Sequence, residues 1–304
     1  MVRAAGILAA ALAAYALGLG AADDFGAALA AGNLPAAEAV LLDYQRQHGT
    51  TPEMVEAMSW LGRAALDARK YAQADAYVAK TLALCAEELK KRPLDAEPHL
   101  PLALGAAIEV KAQAMAGRGE RTAALGYLRR EALAYGGTSI AARIQKNVNR
   151  IALTGHVAPE LVETQYLGPK PQTLLALRGK PVLLFFWAHW CSDCRAEVPL
   201  LAKIQSEYAF NGLVLCGPTR LYGYTAANES AAPAEELKYI EAVRQRFYAP
   251  LAAVPAPLST ANFLRYGAST TPTIVLIDRK GIVRLYHPGA MTEAELRAAL
   301  KSVL

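Results

Sequence analysis

From residue 25 to residue 151 apolar positions recur every three or four residues, with Glu, Arg and Lys between them. No stretch there alternates with a period of two, so the pattern is that of helices with one buried face. "GNLPAAEAVLLDYQRQHGTTP" reads as turn, helix and turn. "TPEMVEAMSWLGRAALDARKYAQADAYVAKTLALCAEEL" reads as a helical hairpin broken near residues 68–71, and a longer helical unit follows over 98–135. The pattern then changes. "GHVAPELVETQYLGPKPQ" carries Pro159, Pro169 and Pro171 without a helical period, and predicts a linker and lead-in over 156–172. Beyond it come a continuous apolar strand, "PVLLFFW", a helix over 194–208, a strand, "GLVLCG", and a helix over 234–248. A short helical piece, "TANFLRYG", precedes "TPTIVLIDRKGIVRLYH", a hairpin turning at 279–281, and a closing helix over 292–303. Strands alternating with helices, ended by a hairpin and a helix, predict an α/β sheet covered on both faces.

Two patterns imply two domains, helical over 23–155 and α/β over 173–304. That suits 304 residues at roughly 150 per domain. A chain 54% hydrophobic and 19% charged can build both cores. The net charge of +5 is scattered, with no basic block among aromatics, which argues against nucleic acid as a partner. The start, "MVRAAGILAAALAAYALGLGAADD", does change the picture. One Arg, an apolar Ala-rich run and small residues precede the first acids, Asp23 and Asp24. Residues 1–22 have the layout of a signal cleaved after Ala21 or Ala22, or of an uncleaved membrane anchor. A first helix of the next domain would show a polar face, and this run shows none. Export to the periplasm or another extracytoplasmic space is expected.

Leu61-Gly62, followed twelve residues on by Ala74, resembles the tetratricopeptide pattern, in which small residues let antiparallel helices approach closely. Leu104-Gly105 has no such Ala partner, so a tetratricopeptide-like array and a private helical bundle both stay open.

The chemistry is concentrated in "FFWAHWCSDCRAEVPLL". Cys191 follows a buried strand and begins a helix, where unsatisfied amides and the positive helix end favour thiolate over thiol. Cys194, one turn on, can resolve a mixed disulfide formed at Cys191. We expect one exposed nucleophile and one resolving thiol. A zinc site would need two further ligands, and the histidines (48, 99, 156, 189 and 287) are dispersed. A pair of inert core thiols suits such a strand exit poorly. Cys85 and Cys216 stand alone and read as buried thiols, Cys216 at the end of a central strand.

"FFWAHWCSDCRAEVPLL" with "STTPTIVLIDRKGIVRLYHPG" resembles the thioredoxin superfamily, in particular its exported TlpA/ResA-type disulfide reductases. The resemblance covers about residues 157–304 and does not extend to the helical half. It implies a thioredoxin-like α/β domain, a central mixed sheet flanked by helices, after an all-α domain of helical hairpins. It implies a cis bond between Thr271 and Pro272, beside the dithiol, that presents the Thr271 backbone to an extended substrate. It places Glu197 by the dithiol as a proton-handling acid, the alternative being a solvated helix charge, and Trp190 over the dithiol or against substrate. Thioredoxin carries a buried acid six residues before its first cysteine; Phe185 stands there, so Cys194 must lose its proton by another route. Trp187 continues the strand into the core.

Between the cysteines, Ser192 and Asp193 tune the potential, which in the superfamily spans about −270 to −120 mV. Asp193 disfavours the thiolate, which makes a better reductant. His189 is either a positive charge beside the sulfurs below about pH 6.5 or, as favoured, a solvent-facing side chain. Arg220, Tyr222 and Tyr224 are either a substrate rim or, as favoured, part of a mobile loop. The expected activity is reduction of protein disulfides with no cofactor, recharged by an electron donor that the sequence does not name. Oxidase or isomerase activity is the rival within the class. Outside it the rival is a binding protein whose helical domain recruits a partner.

Overall fold

The computed structural model describes residues 19–226 and 229–304. The proposed signal or anchor therefore lies outside the described residues except for its last four, which open helix α1 (Leu19–Ala30). Among the described residues no helix is long and apolar enough to cross a membrane. The chain forms two compact units, one ending at Asn147 and the other beginning at Val148.

The first unit is all helical: α2 (Leu34–His48), α3 (Pro52–Asp67), α4 (Tyr71–Leu89), α5 (His99–Gly117), α6 (Arg121–Ala134) and α7 (Ala141–Ala152), which crosses the boundary. Thr51 caps α3 by accepting from the Met54 N–H at 3.3 Å, with Pro52 in the first turn. The break expected near 68–71 is a turn with Arg69 in the left-handed region, φ 57°. Its core holds Phe25, Leu41, Met54, Met58, Leu61, Ala74 and Val110. Gly62 sits where α3, α4 and α5 meet: a Cβ there would lie 3.6 Å from Tyr77 Cβ and 3.7 Å from a Val110 methyl. An alanine methyl would make ordinary contacts there, while a longer side chain would push the three helices apart.

The second unit is built on a four-stranded sheet of β2 (Val182–Phe186), β3 (Val214–Cys216), β5 (Thr273–Ile277) and β6 (Val283–Pro288), in the order β3-β2-β5-β6. β2 runs parallel to β3 and antiparallel to β5, which pairs antiparallel with β6. Alternate residues of β2 enter two cores. Leu183 and Phe185 face one that includes Leu201 of α8 (Ser192–Glu207), Ile240 of α9 (Pro233–Phe247) and Leu296 of α11 (Glu293–Leu300). Val182, Leu184 and Phe186 face another with Phe263 and Tyr266 of α10 (Thr260–Tyr266). The continuous apolar run in β2 is thus explained by covers on both faces.

Residues 156–172, expected as a linker and an irregular or short-strand entry, pack on the second unit as its entry rather than hanging free. Gly155 N donates to Val283 O at 2.8 Å, Ala158 N donates to Gly281 O at 3.0 Å, and Leu161 enters the second core. Further on, β1 (Tyr166–Leu167) pairs with β4 (Ala256–Pro257). The free edge of β6 and the core face of the sheet absorb a segment whose prolines only stop it from being helical. Cys216, in turn, ends an edge strand of this sheet rather than a central one. It is buried all the same, because the segment before α10 covers that edge: Gly217 N donates to Pro255 O and Thr219 N to Pro257 O, both at 2.9 Å.

Candidate active site

Cys191 is the N-cap of α8, its backbone extended and its Sγ accepting from the Cys194 N–H at 3.0 Å. Cys191 and Cys194 are joined in a disulfide. The helix start at the strand exit therefore places both sulfurs together, with the first-turn amides aimed at Cys191. The exposed nucleophile expected from the sequence is corrected: Cys191 is only 3% exposed and Cys194 fully buried. Both belong to the core cluster that contains Val198, Leu201 and Met291. Apolar burial thus opposes the helix terminus in setting thiolate stability. The neighbours Trp190, Ser192 and Asp193 are the exposed ones.

Glu197 lies one turn beyond Cys194 on the same face of α8. It is buried, not a solvated helix charge. Its Oε1 accepts from the Met291 N–H at 3.2 Å, while Oε2 is buried without a partner among the described residues. Burial pushes its pKa up; the Met291 bond works against this and the charge of Asp193 adds to it. The bond between Thr271 and Pro272 is cis. Pro272 is buried, and among the described residues neither the N–H nor the carbonyl of Thr271 has a hydrogen-bond partner.

Phe185, at the position of thioredoxin's acid, is buried and apolar. It lines a small, partly open pocket with Trp187, Leu215, Tyr248 and Val254. Trp187 is core, as expected, its Nε1 donating to Gly217 O at 2.9 Å and its ring tilted 39° against Tyr248 with centroids 4.4 Å apart. Trp190, 48% exposed, meets Tyr222 edge-on at 5.6 Å.

His189 overturns the favoured solvent-facing reading. It is 1% exposed, boxed edge-on by Tyr222, Tyr224 and Tyr239 with ring centroids 5.3–5.5 Å away. Burial pushes its pKa down, against the pull of Glu236, whose carboxylate is 3.4 Å from Nε2. The Arg195 guanidinium adds to the lowering and donates to the His189 carbonyl at 2.6 Å. Part of the segment read as a mobile loop is also held in place. Glu236 accepts from the N–H groups of Tyr222 and Gly223 and ties that segment to α9. Sequence reasoning missed Glu236 and Met291. Glu236, in the first turn of α9 behind Pro233, reads in sequence as an acid complementing the helix end.

Cys216 and Cys85 are free and buried, each thiol pushed up to about 12, chiefly by burial. Neither is a nucleophile near neutral pH. Among the described residues no group of His, Cys, Asp and Glu is arranged to hold a metal.

A thioredoxin-like domain family model matches residues 172–304. The thioredoxin-like protein YneN of Bacillus subtilis is 30% identical over 147 residues, 48% of this chain and 78% of that protein. The thiol-disulfide oxidoreductase ResA of Geobacillus thermodenitrificans is 27% identical over 149 residues, 49% of this chain and 77% of its own. The thiol:disulfide interchange protein DsbE of Xylella fastidiosa is 30% identical over 128 residues, 42% of this chain and 57% of its own. Such identity to a protein matched over most of its length, on the fold and dithiol described above, makes this chain a member of the thioredoxin-like family.

Proposed function

We propose that the chain is a thiol–disulfide oxidoreductase that reduces disulfides of proteins outside the cytoplasm. The observation that carries the reading is the Cys191–Cys194 disulfide at the start of α8, with the half-satisfied carboxyl of Glu197 one turn away. The names of YneN, ResA and DsbE support the same class of chemistry.

In the reduced protein the Cys191 thiolate attacks one sulfur of a substrate disulfide. A Cys191–substrate bond forms, the substrate S–S bond breaks, and the departing thiolate takes up a proton. Cys194 then loses its proton to Glu197, attacks Cys191 Sγ and expels the second substrate thiol. Two electrons have moved to the substrate, and a dithiol donor must return the protein to its reduced state. Glu197 suits this exchange because Oε2 has no competing partner and its raised pKa brings the carboxyl closer to the range of a working acid–base group. Trp190 covers the approach, and the unused Thr271 backbone offers an extended substrate a strand partner. Asp193, exposed in the first turn of α8, opposes the thiolate and so favours the reducing direction. The apolar N-terminal run supports export, by a cleaved signal or an anchor. The close helix packing at Gly62 fits a tetratricopeptide-like unit that recruits a partner protein.

The test is turnover of an insulin disulfide with a dithiol donor. Cys191→Ser abolishes it, and Cys194→Ser accumulates mixed disulfides at Cys191 that identify the substrates. A reduction potential near that of thioredoxin, about −270 mV, supports the reductive direction. One well above about −220 mV makes the protein an oxidant or isomerase. Undiminished turnover in Cys191→Ser would leave only a binding role.

A further inference from the structure

Among the described residues the Arg220 guanidinium and the Tyr222 hydroxyl have only each other as hydrogen-bonding neighbours: Arg220 Nε and Tyr222 Oη are buried with no third partner, and Thr271 Oγ1, at the cis-proline turn, is buried with none. The Arg220 guanidinium lies over the Tyr222 ring at 4.5 Å and 5.4 Å from the ring of Phe263. Aromatic faces hold it in place, while no carboxylate among the described residues pairs with it. Glu236, the acid that acts on Tyr222, is occupied by the N–H groups of Tyr222 and Gly223 and lies against His189. The other edge of Tyr222 meets Trp190, next in sequence to Cys191.

An arginine kept only to pack against two rings needs neither its charge nor an unmet N–H. A buried donor without an acceptor is a cost that an arriving acceptor removes, and most completely when that acceptor is an anion. Arg220 and Tyr222 offer two donors and a full positive charge. The matching ligand is planar, anionic and rich in acceptors.

We propose that Arg220 and Tyr222 form a carboxylate-binding subsite beside the dithiol, which selects disulfides carrying an acidic residue next to the reacting cysteine. The proposal rests on the reductase reading for its substrate. In this arrangement the substrate chain runs along Thr271 past Trp190, and the acidic side chain turns toward Arg220. Tyr222 Oη supplies the second donor. Glu236 holds the backbone at Tyr222 and Gly223 in place before substrate arrives, and the buried Arg220 and Tyr222 side chains part to admit the carboxylate.

The experiment uses the full chain and two disulfide peptides that differ only in Asp or Lys beside the reacting cysteine. For the unaltered protein kcat/KM is expected to favour the Asp peptide about tenfold or more. In Arg220→Gln the ratio falls toward one, and Arg220→Lys restores part of it. Peptides with Ser in place of both cysteines give dissociation constants in the same order. Equal kcat/KM for the two peptides overturns the subsite. So does a ratio that survives Arg220→Gln while the melting temperature drops, which leaves Arg220 a packing role alone. Failure of all turnover, with the binding preference intact, sinks the reductase reading and leaves the subsite standing.

Discussion

Each unit contains a buried glutamate whose surroundings decide what it can do. Glu109 of α5, 3% exposed, is surrounded by donors. Oε2 accepts from Arg143 Nε at 2.8 Å and Lys146 Nζ at 3.0 Å; Oε1 accepts from Arg63 at 3.2 Å and Gln113 at 3.0 Å. Burial opposes its charge, but Arg63, Lys146 and Arg143 together hold the carboxyl well below the usual range. Glu197 of α8, 7% exposed, has one backbone N–H and a free oxygen, and burial wins. The residue type and depth are alike; the count of donors is not. A saturated carboxylate stays ionised and braces helices, while an undersupplied one can exchange a proton.

Glu109→Ala should give the largest effect that follows from this contrast. It strands three cations, of which Lys146 is buried, its pKa already pushed down to about 8 by burial. Removing one side of a buried charge pair leaves the other uncompensated, and a loss of about 3 kcal/mol is expected. The check is denaturant unfolding followed by far-ultraviolet dichroism, dominated by the helical unit. A loss well under 1 kcal/mol would mean that solvent already compensates the cations.

Glu197→Gln should do the opposite. Turnover is expected to drop about a hundredfold, as for loss of one general acid–base group, with no loss of stability near neutral pH. The pH dependence sharpens this. The folded pKa lies above the ordinary 4.5, so the folded state binds more protons. Its stabilising contribution is complete below 4.5 and is lost as pH rises through the folded pKa. Urea midpoints for the unaltered protein should fall across that interval, and those of Glu197→Gln should not. Equal slopes would remove Glu197 from the proton path.

Much of this was legible in the sequence, because local pattern carries it. The apolar run of β2, the cysteines at a helix start, Glu197 one turn on and Thr271-Pro272 before a hairpin need no knowledge of distant residues. What failed was what depends on residues far apart in the chain. Nothing near His189 announces that Tyr222, Tyr224 and Tyr239 close around it, since they come from a later loop and from α9. The prolines of 156–172 report that a helix cannot form. They do not report that the backbone will pair along β6.

His189 gives the smallest of the expected effects and separates two accounts of the dithiol. As a charged neighbour of Cys191 it would alter the potential below about pH 6.5. As the buried neutral ring observed, it acts through stability instead. Its folded pKa lies below the ordinary 6.5, chiefly through burial, so the unfolded chain binds the extra proton. The stabilising contribution is present above 6.5 and is lost as pH falls from there through the folded pKa. His189→Asn should flatten this acid limb of the stability curve. It should leave the slope of the dithiol potential against pH unchanged around 6.5. An inflection near 6.5 in the unaltered protein that vanishes in His189→Asn would restore the imidazolium as a charge felt by Cys191, and would mean that the tyrosine box opens in solution.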